Sequence, residues 1–313
     1  MSGIQYTQRL LIGLLAGTAI NSPATADPSV DEPIRFIVAN HTSQPAATFT
    51  DMVFPASVES RDYQLRMGDL QFQTTNTRFL AGVDYQYTRN EYQDVDSRDR
   101  DLHRLAVPIQ FKTDSTNWRI DGYFAPVIAT SSNVFKDFLN RGSARDVYLS
   151  SRVEFHAQNA PWFFGAAYDR RFGSAHAYPV FGTWLNWSPG IDIRLAFPDP
   201  AALIQVSERL TASLRIYPAG HEWRVVSDDF ASEFDYRMKA IRSELNWNVK
   251  LTGKLSLDLT IGYEIDRELR LVDRRGESVD SRVSNEWLFM AGFRFGNAAL
   301  PYSHGGRYGS EFH

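Results

Sequence analysis

From Leu255 to Ile265 the chain alternates without a break: Leu255, Leu257, Leu259, Ile261, Tyr263 and Ile265 are separated by Ser256, Asp258, Thr260, Gly262 and Glu264. Successive side chains of a strand point to opposite faces, so this period predicts a ribbon with one apolar face and one carrying Asp258 and Glu264. Carboxylates are costly in a dry interior unless paired, so the second face is expected to be wet. A strand of ten or more residues exceeds the usual five or six of a globular sheet and matches the roughly 9–11 tilted residues that cross a membrane. Two architectures fit: a large soluble β-sandwich, or a membrane barrel whose apolar face meets lipid.

Read the same way, the chain offers thirteen candidate strands, at 64–74, 77–88, 102–112, 117–128, 146–157, 161–171, 178–187, 190–197, 203–216, 221–227, 235–250, 254–270 and 284–296. Ile241, Leu245, Trp247 and Val249 oppose Arg242, Glu244, Asn246 and Asn248. Val147, Leu149, Val153 and Phe155 oppose Tyr148, Ser150, Arg152, Glu154 and His156. No helical period lasts beyond two turns, and no shift in composition marks a second domain.

The links separate the two architectures. Thr75-Asn76, 114–117, 158–161, 188–190, Pro218-Ala219-Gly220 and Thr252-Gly253 are short and made of turn formers, whereas 89–101, 129–145, 171–177, 228–234 and 271–283 are longer and polar. Alternating short and long links are what a barrel with brief periplasmic turns and extended external loops requires; a sandwich has no such need. The expected fold is therefore all-β, a transmembrane antiparallel β-barrel of about 12–14 strands. Bacterial single-chain barrels have even strand numbers, so a count of thirteen is one short or one over. Ile34–Ala39 and Thr48–Ala56 are candidates for a missing strand, and 190–197 and 221–227 for surplus ones.

Tryptophan agrees with this reading. Trp118, Trp162, Trp187, Trp223 and Trp247 lie within a few residues of short turns, with Trp184 slightly further in, which predicts a periplasmic aromatic girdle. Trp287, just after the 271–283 link, is expected in the opposite girdle.

The chain ends refine the picture. After Arg9, the apolar run Leu10–Ile20 and the small-residue stretch Ala24-Thr25-Ala26 read as a secretory signal peptide over 1–26. The expected organisation is then a periplasmic segment at 27–60 contributing at most one strand, an outer-membrane barrel at 61–296, and a polar tail at 297–313. Asn285–Phe295 ends in alternating aromatics, the kind of terminal strand that the outer-membrane assembly machinery recognises, although here the tail follows it. Composition adds limits: the chain has no cysteine, so no disulfide or thiolate metal site is possible. A net charge of −4 without a basic block argues against nucleic acid as a partner.

The run Pro179-Val-Phe-Gly182, Trp187-Ser-Pro-Gly190, Ile193, Phe197-Pro198 and then Tyr217 through Trp223-Arg-Val225 resembles an uncharacterised family of bacterial outer-membrane β-barrels. The resemblance covers mainly residues 100–296 and consists of turns and strand ends. It implies the fold and the outer-membrane location, and no substrate.

Candidate chemistry is sparse. Ser174-Ala-His176 places a hydroxyl near an imidazole, as lipid-hydrolysing barrels do, but in reversed order, in a link, with no third group to orient the His. Asp94, Asp96, Asp99 and Asp101 are spaced for a divalent cation or a bridge to lipopolysaccharide phosphates, yet Arg98 and Arg100 interrupt them and the glycine and bidentate glutamate of a calcium loop are missing. A self-neutralised, solvated loop is the simpler reading of that run. Arg152, Glu154, His156, Arg242, Glu244, Asp258 and Glu264 are expected to line the lumen, either setting ion preference or pairing across it.

The expectation is a non-enzymatic outer-membrane protein of a Gram-negative bacterium, a structural barrel or a narrow passive pore for small solutes. Its expected partners are membrane lipid, lipopolysaccharide and the assembly machinery, and no cofactor is called for. A lipid or lipopolysaccharide hydrolase and a soluble periplasmic sandwich that binds a ligand are the alternatives.

Overall fold

The computed structural model describes residues 36–52, 55–74, 76–94, 99–135, 145–156, 160–227 and 232–296. The segments read as signal peptide and as polar tail lie outside them.

Seventeen strand segments form one sheet: β1 (Phe36–Thr48), β2 (Ser57–Gln73), β3 (Thr77–Gln93), β4 (Arg100–Ala106), β5 (Ile109–Asp114), β6 (Trp118–Ser131), β7 (Arg145–Phe155), β8 (Trp162–Asp169), β9 (His176–Ser188), β10 (Ile191–Phe197), β11 (Ala201–Gln205), β12 (Leu210–Pro218), β13 (His221–Ser227), β14 (Ser232–Lys250), β15 (Leu255–Asp273), β16 (Ser278–Val283) and β17 (Glu286–Gly296). Apart from β4 with β5, β12 with β13 and β16 with β17, neighbours along the chain pair antiparallel, and β17 pairs with β1 from Phe36↔Gly296 to Ser43↔Phe289, which closes the barrel and rules out the sandwich. β4 and β5 both pair with β3 and β6, β12 and β13 both pair with β14, and β16 and β17 both pair with β15. Each of those couples is one interrupted stave, so the closed barrel has fourteen staves.

Three differences reconcile fourteen with the thirteen read from sequence. The described part of 27–60, a segment expected in the periplasm with one strand allowed, supplies β1 and the start of β2. The single strand expected at 203–216 is a hairpin of β11 and β12 turned at Val206–Arg209, where the Ser207 hydroxyl accepts from the Leu210 N–H. Pro218-Ala219-Gly220, expected as a turn, is an interruption: β13 continues along β14 in the direction of β12.

The barrel has two storeys of opposite polarity, and β14 shows both. In its second half Ile241, Leu245, Trp247 and Val249 face outward while Arg242, Glu244, Asn246 and Asn248 face the lumen. In its first half the signs reverse: Glu233, Asp235, Arg237 and Lys239 face outward, and Phe234, Tyr236, Met238 and Ala240 face inward. On β15 the outward face changes from Leu257, Leu259, Ile261 and Ile265 to Glu268 and Arg270, while Leu269 and Leu271 turn into the core. The segments 89–101 and 271–283 resemble polar loops in sequence because their alternation carries charge on the outside. They contain the ends of β3 and β15 and the starts of β4 and β16.

The apolar outer belt runs from Leu255 to Ile265 on β15. At about 3.3 Å per residue and a tilt near 40° it is about 25 Å tall, the height of a bilayer's hydrocarbon band. Above it the outer wall carries ion pairs: Arg270–Asp280 at 2.7 Å, Arg89–Glu91 at 2.8 Å and Lys239–Asp266 at 3.0 Å.

The upper storey is also narrower. β8, β10 and β11 are only 8, 7 and 5 residues long and stop below it. Over them β6 meets β13 directly: Thr130 pairs with Arg224, and its hydroxyl donates to the Arg224 carbonyl at 2.7 Å. The upper ring is thus β1, β2, β3, β4, β6, β13, β14, β15 and β16. A ring of about eight strands is just wide enough for side chains to fill. Trp223, Tyr236, Leu102, Val225, Val127, Phe49 and Val58 fill this one, all buried.

Candidate functional site: the lumen

The rim that carries Phe36 and Gly296 also carries the short links 115–117, 189–190, 206–209 and 251–254. Above that rim lies a polar cavity of about 230 Å3. Val38, Asp258 and Arg294 line it within three residues of the rim ends of their strands, while Trp223, Leu269 and Val283 line its far end beneath the apolar core. The lumen is therefore a well, blind at the upper storey.

Its walls are charged, and the charges meet in pairs. Arg242 bridges Glu264 at 2.6 Å and Glu244 at 3.4 Å, and Arg267 reaches the second oxygen of Glu264 at 3.2 Å. Asp258 accepts from Asn248 at 2.8 Å and lies 3.5 Å from Arg294. Asp84 lies between Arg104 at 3.3 Å and Arg66 at 3.7 Å, and Asp199 between Arg194 at 2.7 Å and Arg215 at 2.9 Å. Closer to the rim, Arg152 meets Asp121 at 2.8 Å, while Arg119 is 3.9 Å from Glu154. Desolvated ions without partners would be costly, so such pairing is the condition on which this many charges can line a narrow tube.

Of the residues expected in the lumen, Arg152, Glu154, Glu244, Asp258 and Glu264 are buried and inward, and Arg242 joins Glu244 and Glu264. His156 is at the rim, exposed, 3.7 Å from Glu154. Asp62, Asp84, Arg104, Arg215, Arg267, Arg294 and His221 were not anticipated. Asp62, Gln64 and Arg66 alternate with Tyr63, Leu65 and Met67, a signal that was available in the sequence.

The tryptophans divide. Trp162, Trp187 and Trp287 are exposed on the outer face, and Trp118 and Trp247 are half-buried there. Trp162 stacks on Phe155 at 5.2 Å and Trp287 lies 4.9 Å from Tyr263. Trp223 does not belong to a girdle: it is 2% exposed and points into the upper core, because the turn it was assigned to is only an interruption of a stave.

Ser174 and His176 do not form a hydroxyl–imidazole pair. His176 Nδ1 lies 2.9 Å from the backbone carbonyl of Ser174, so the imidazole is held by the peptide rather than by the serine hydroxyl, with Phe172 packed on it at 5.0 Å. In the acidic run, Asp99 accepts from the Tyr92 N–H at 3.0 Å and Asp101 from the Tyr87 hydroxyl at 2.7 Å, while 95–98 lie outside the described residues. No group of three or more metal-ligating side chains occurs among the described residues.

The closed ladder and the two-sided lower storey define a membrane β-barrel of the outer-membrane type. No family model matches the chain and no curated protein is similar to it in sequence, so the family resemblance stands only on the residues quoted for it. Among solved structures, the chain is similar to an outer membrane channel from Pseudomonas putida F1 at 11% identity, over 88% of this chain and 100% of that one, with a TM-score of 0.45. It is also similar to the translocator domain of the autotransporter NalP from Neisseria meningitidis at 8% identity (93% and 95% covered, TM-score 0.38) and to the KdgM porin at 8% identity (84% and 99% covered, TM-score 0.37).

Proposed function

We propose that the protein is a non-enzymatic barrel of the Gram-negative outer membrane, a narrow passive pore for small polar solutes, closed at its external end in this conformation. The observation that carries this reading is the cavity of about 230 Å3 running from the terminus-bearing rim to the apolar core. A purely structural barrel has no reason to keep such a space polar and open. Because outer-membrane barrels place both termini in the periplasm, the well faces the periplasm and the polar-walled storey faces outward. The belt from Leu255 to Ile265 meets lipid, and the charged wall above it lies at the height of lipopolysaccharide head groups.

Planar-bilayer recording tests this. The unaltered protein should show rare, small conductance steps, and thinning the core with Tyr236→Ala or Phe49→Ala should make them larger and more frequent. Silence in all three, with the folded form intact, would leave a structural barrel.

A further inference from the structure

The ion pairs of the well do not balance on the surface that faces it. Lys239 and Glu268 line the cavity by their stems and meet one another on the outer wall. Of the other charged side chains that line it among the described residues, eight are arginines and five are carboxylates. The missing counter-charges stand outside the lining. Asp84, between Arg66 and Arg104, and Asp199, between Arg194 and Arg215, do not line the well, whereas Arg66, Arg104 and Arg215 do. Arg170 likewise lines it while its partners Asp146 and Glu222 do not.

Where both partners of a pair line the well, the cation is the more open of the two. Arg242 keeps 18% of its side chain exposed against 4% for Glu264, and Arg294 keeps 10% against 6% for Asp258. Asp62 is turned to the Thr88 hydroxyl and the Gln86 amide, which both donate to it. A guanidinium has five N–H donors, so a carboxylate at one edge leaves others for the lumen. A solute in the well therefore meets an excess of positive charge. In a narrow cleft with low-dielectric walls such an excess raises the local concentration of the opposite ion about 10- to 10³-fold, and charged lining residues set the ion preference of pores.

Resting on the pore reading, we propose that the well selects small anions, drawing them in through the excess of arginine on its wall. The chain has no cysteine, so a single thiol placed in the well reports which charge reaches it. Met290 lines the well, is half-buried and stands outside the ion pairs, which makes Met290→Cys the reporter. The full-length variant in neutral detergent is treated with a sulfonate-bearing and with a trimethylammonium-bearing methanethiosulfonate. Each rate is divided by that of the same reagent on Ser115→Cys, an exposed position in a rim turn. In low salt the sulfonate should be favoured about tenfold or more, and high salt should erode the preference. Arg66→Gln and Arg215→Gln leave Asp84 and Asp199 each with one arginine, and the two together should lower the ratio about threefold or more. The salt dependence is a readout that remains if the double variant does not fold. Equal rates, a preference for the trimethylammonium reagent, a ratio that neither salt nor the double substitution lowers, or a thiol that neither reagent reaches would overturn the proposal. Conductance without an anion bias would refute the selection and leave the pore; an anion bias without conductance would refute the pore and leave an anion-selecting well.

Discussion

Asp266 on β15 lies opposite Ala240 on β14 as one of two residues facing one: Lys239 pairs with Glu268 and Ile241 with Ile265. Asp266 takes up the extra residue with φ at +52°, in the left-handed region. This bulge lies at the boundary between storeys, and it re-aims β15 so that Leu269 and Leu271 enter the core.

Deleting Asp266 should therefore remove the bulge and leave the register intact: Ile265 stays opposite Ile241, Glu268 opposite Lys239, and Leu269 and Leu271 still enter the core. Inserting one alanine after Asp266 instead sends Leu269 and Leu271 outward and Glu268 and Arg270 into the apolar core. The folded, heat-modifiable form on gels should persist in the deletion variant and be lost or strongly reduced in the insertion variant. Asp266→Gly, which suits the same backbone, should keep it within about 1 kcal/mol of the unaltered protein. Equal folding of the insertion variant would mean that the pairing above the bulge does not set the register.

The storey boundary also predicts where a charge can be tolerated on the outer face. Leu259, in the middle of the belt, should cost about 2–4 kcal/mol when replaced by arginine, whereas Val272→Arg on the upper wall should lie within about 0.5 kcal/mol of zero. Folding equilibria in lipid vesicles measure both. Equal costs at the two sites would place the bilayer elsewhere.

How much of this was legible follows from the same two halves. The alternation of β15 up to Ile265 and the pairing of Arg242, Glu244, Asp258 and Glu264 on one face could be read directly, because an apolar-out ribbon is the pattern that a membrane barrel demands. Above Ala240 the alternation continues with its sign reversed, as Glu233-Phe234-Asp235-Tyr236-Arg237-Met238-Lys239-Ala240 shows. That octet is as regular as the belt, and it reads as a strand once charge is allowed on the outside. Trp223 was misplaced for a different reason: Pro218 and Gly220 are turn formers, and only the pairing of His221 with Met238 reveals that the chain runs straight on. The cavity was not legible, since it depends on which staves face one another across the barrel.

Glu264 is the hub of the lumen network, with Arg242 at 2.6 Å and Arg267 at 3.2 Å. Glu264→Gln removes the charge that both guanidinium groups share, and should destabilise the barrel by about 3 kcal/mol, the lower part of the range for a broken buried pair because the well admits water. Pairing it with Arg242→Met should recover part of that loss, as the unmatched cation goes with its partner. A double-mutant cycle in urea measures the coupling. A coupling energy near zero would reduce the network to independent, solvated charges.

Gly220 offers the most local test of how the two storeys are joined. Among the described residues, the link after β8 reaches across the short staves to this glycine: the Gly220 N–H donates to the Arg171 carbonyl at 2.6 Å, and Arg170 joins Asp146 of β7 to Glu222 of β13. A Cβ at Gly220 would lie 2.2 Å from the Gly173 nitrogen and 2.6 Å from the Arg171 carbonyl oxygen. Both are backbone atoms, so relief requires the whole link to move away from the β12–β13 interruption. Gly220→Ala should thus cost about 1–3 kcal/mol, in the range of other overpacked sites, and expose 170–175 to a protease that leaves the unaltered protein intact. Cleavage confined to that link, with the rest of the barrel still heat-modifiable, would identify the contact as a local clasp. An uncleaved variant of unchanged stability would show that the link does not press on Gly220 at all.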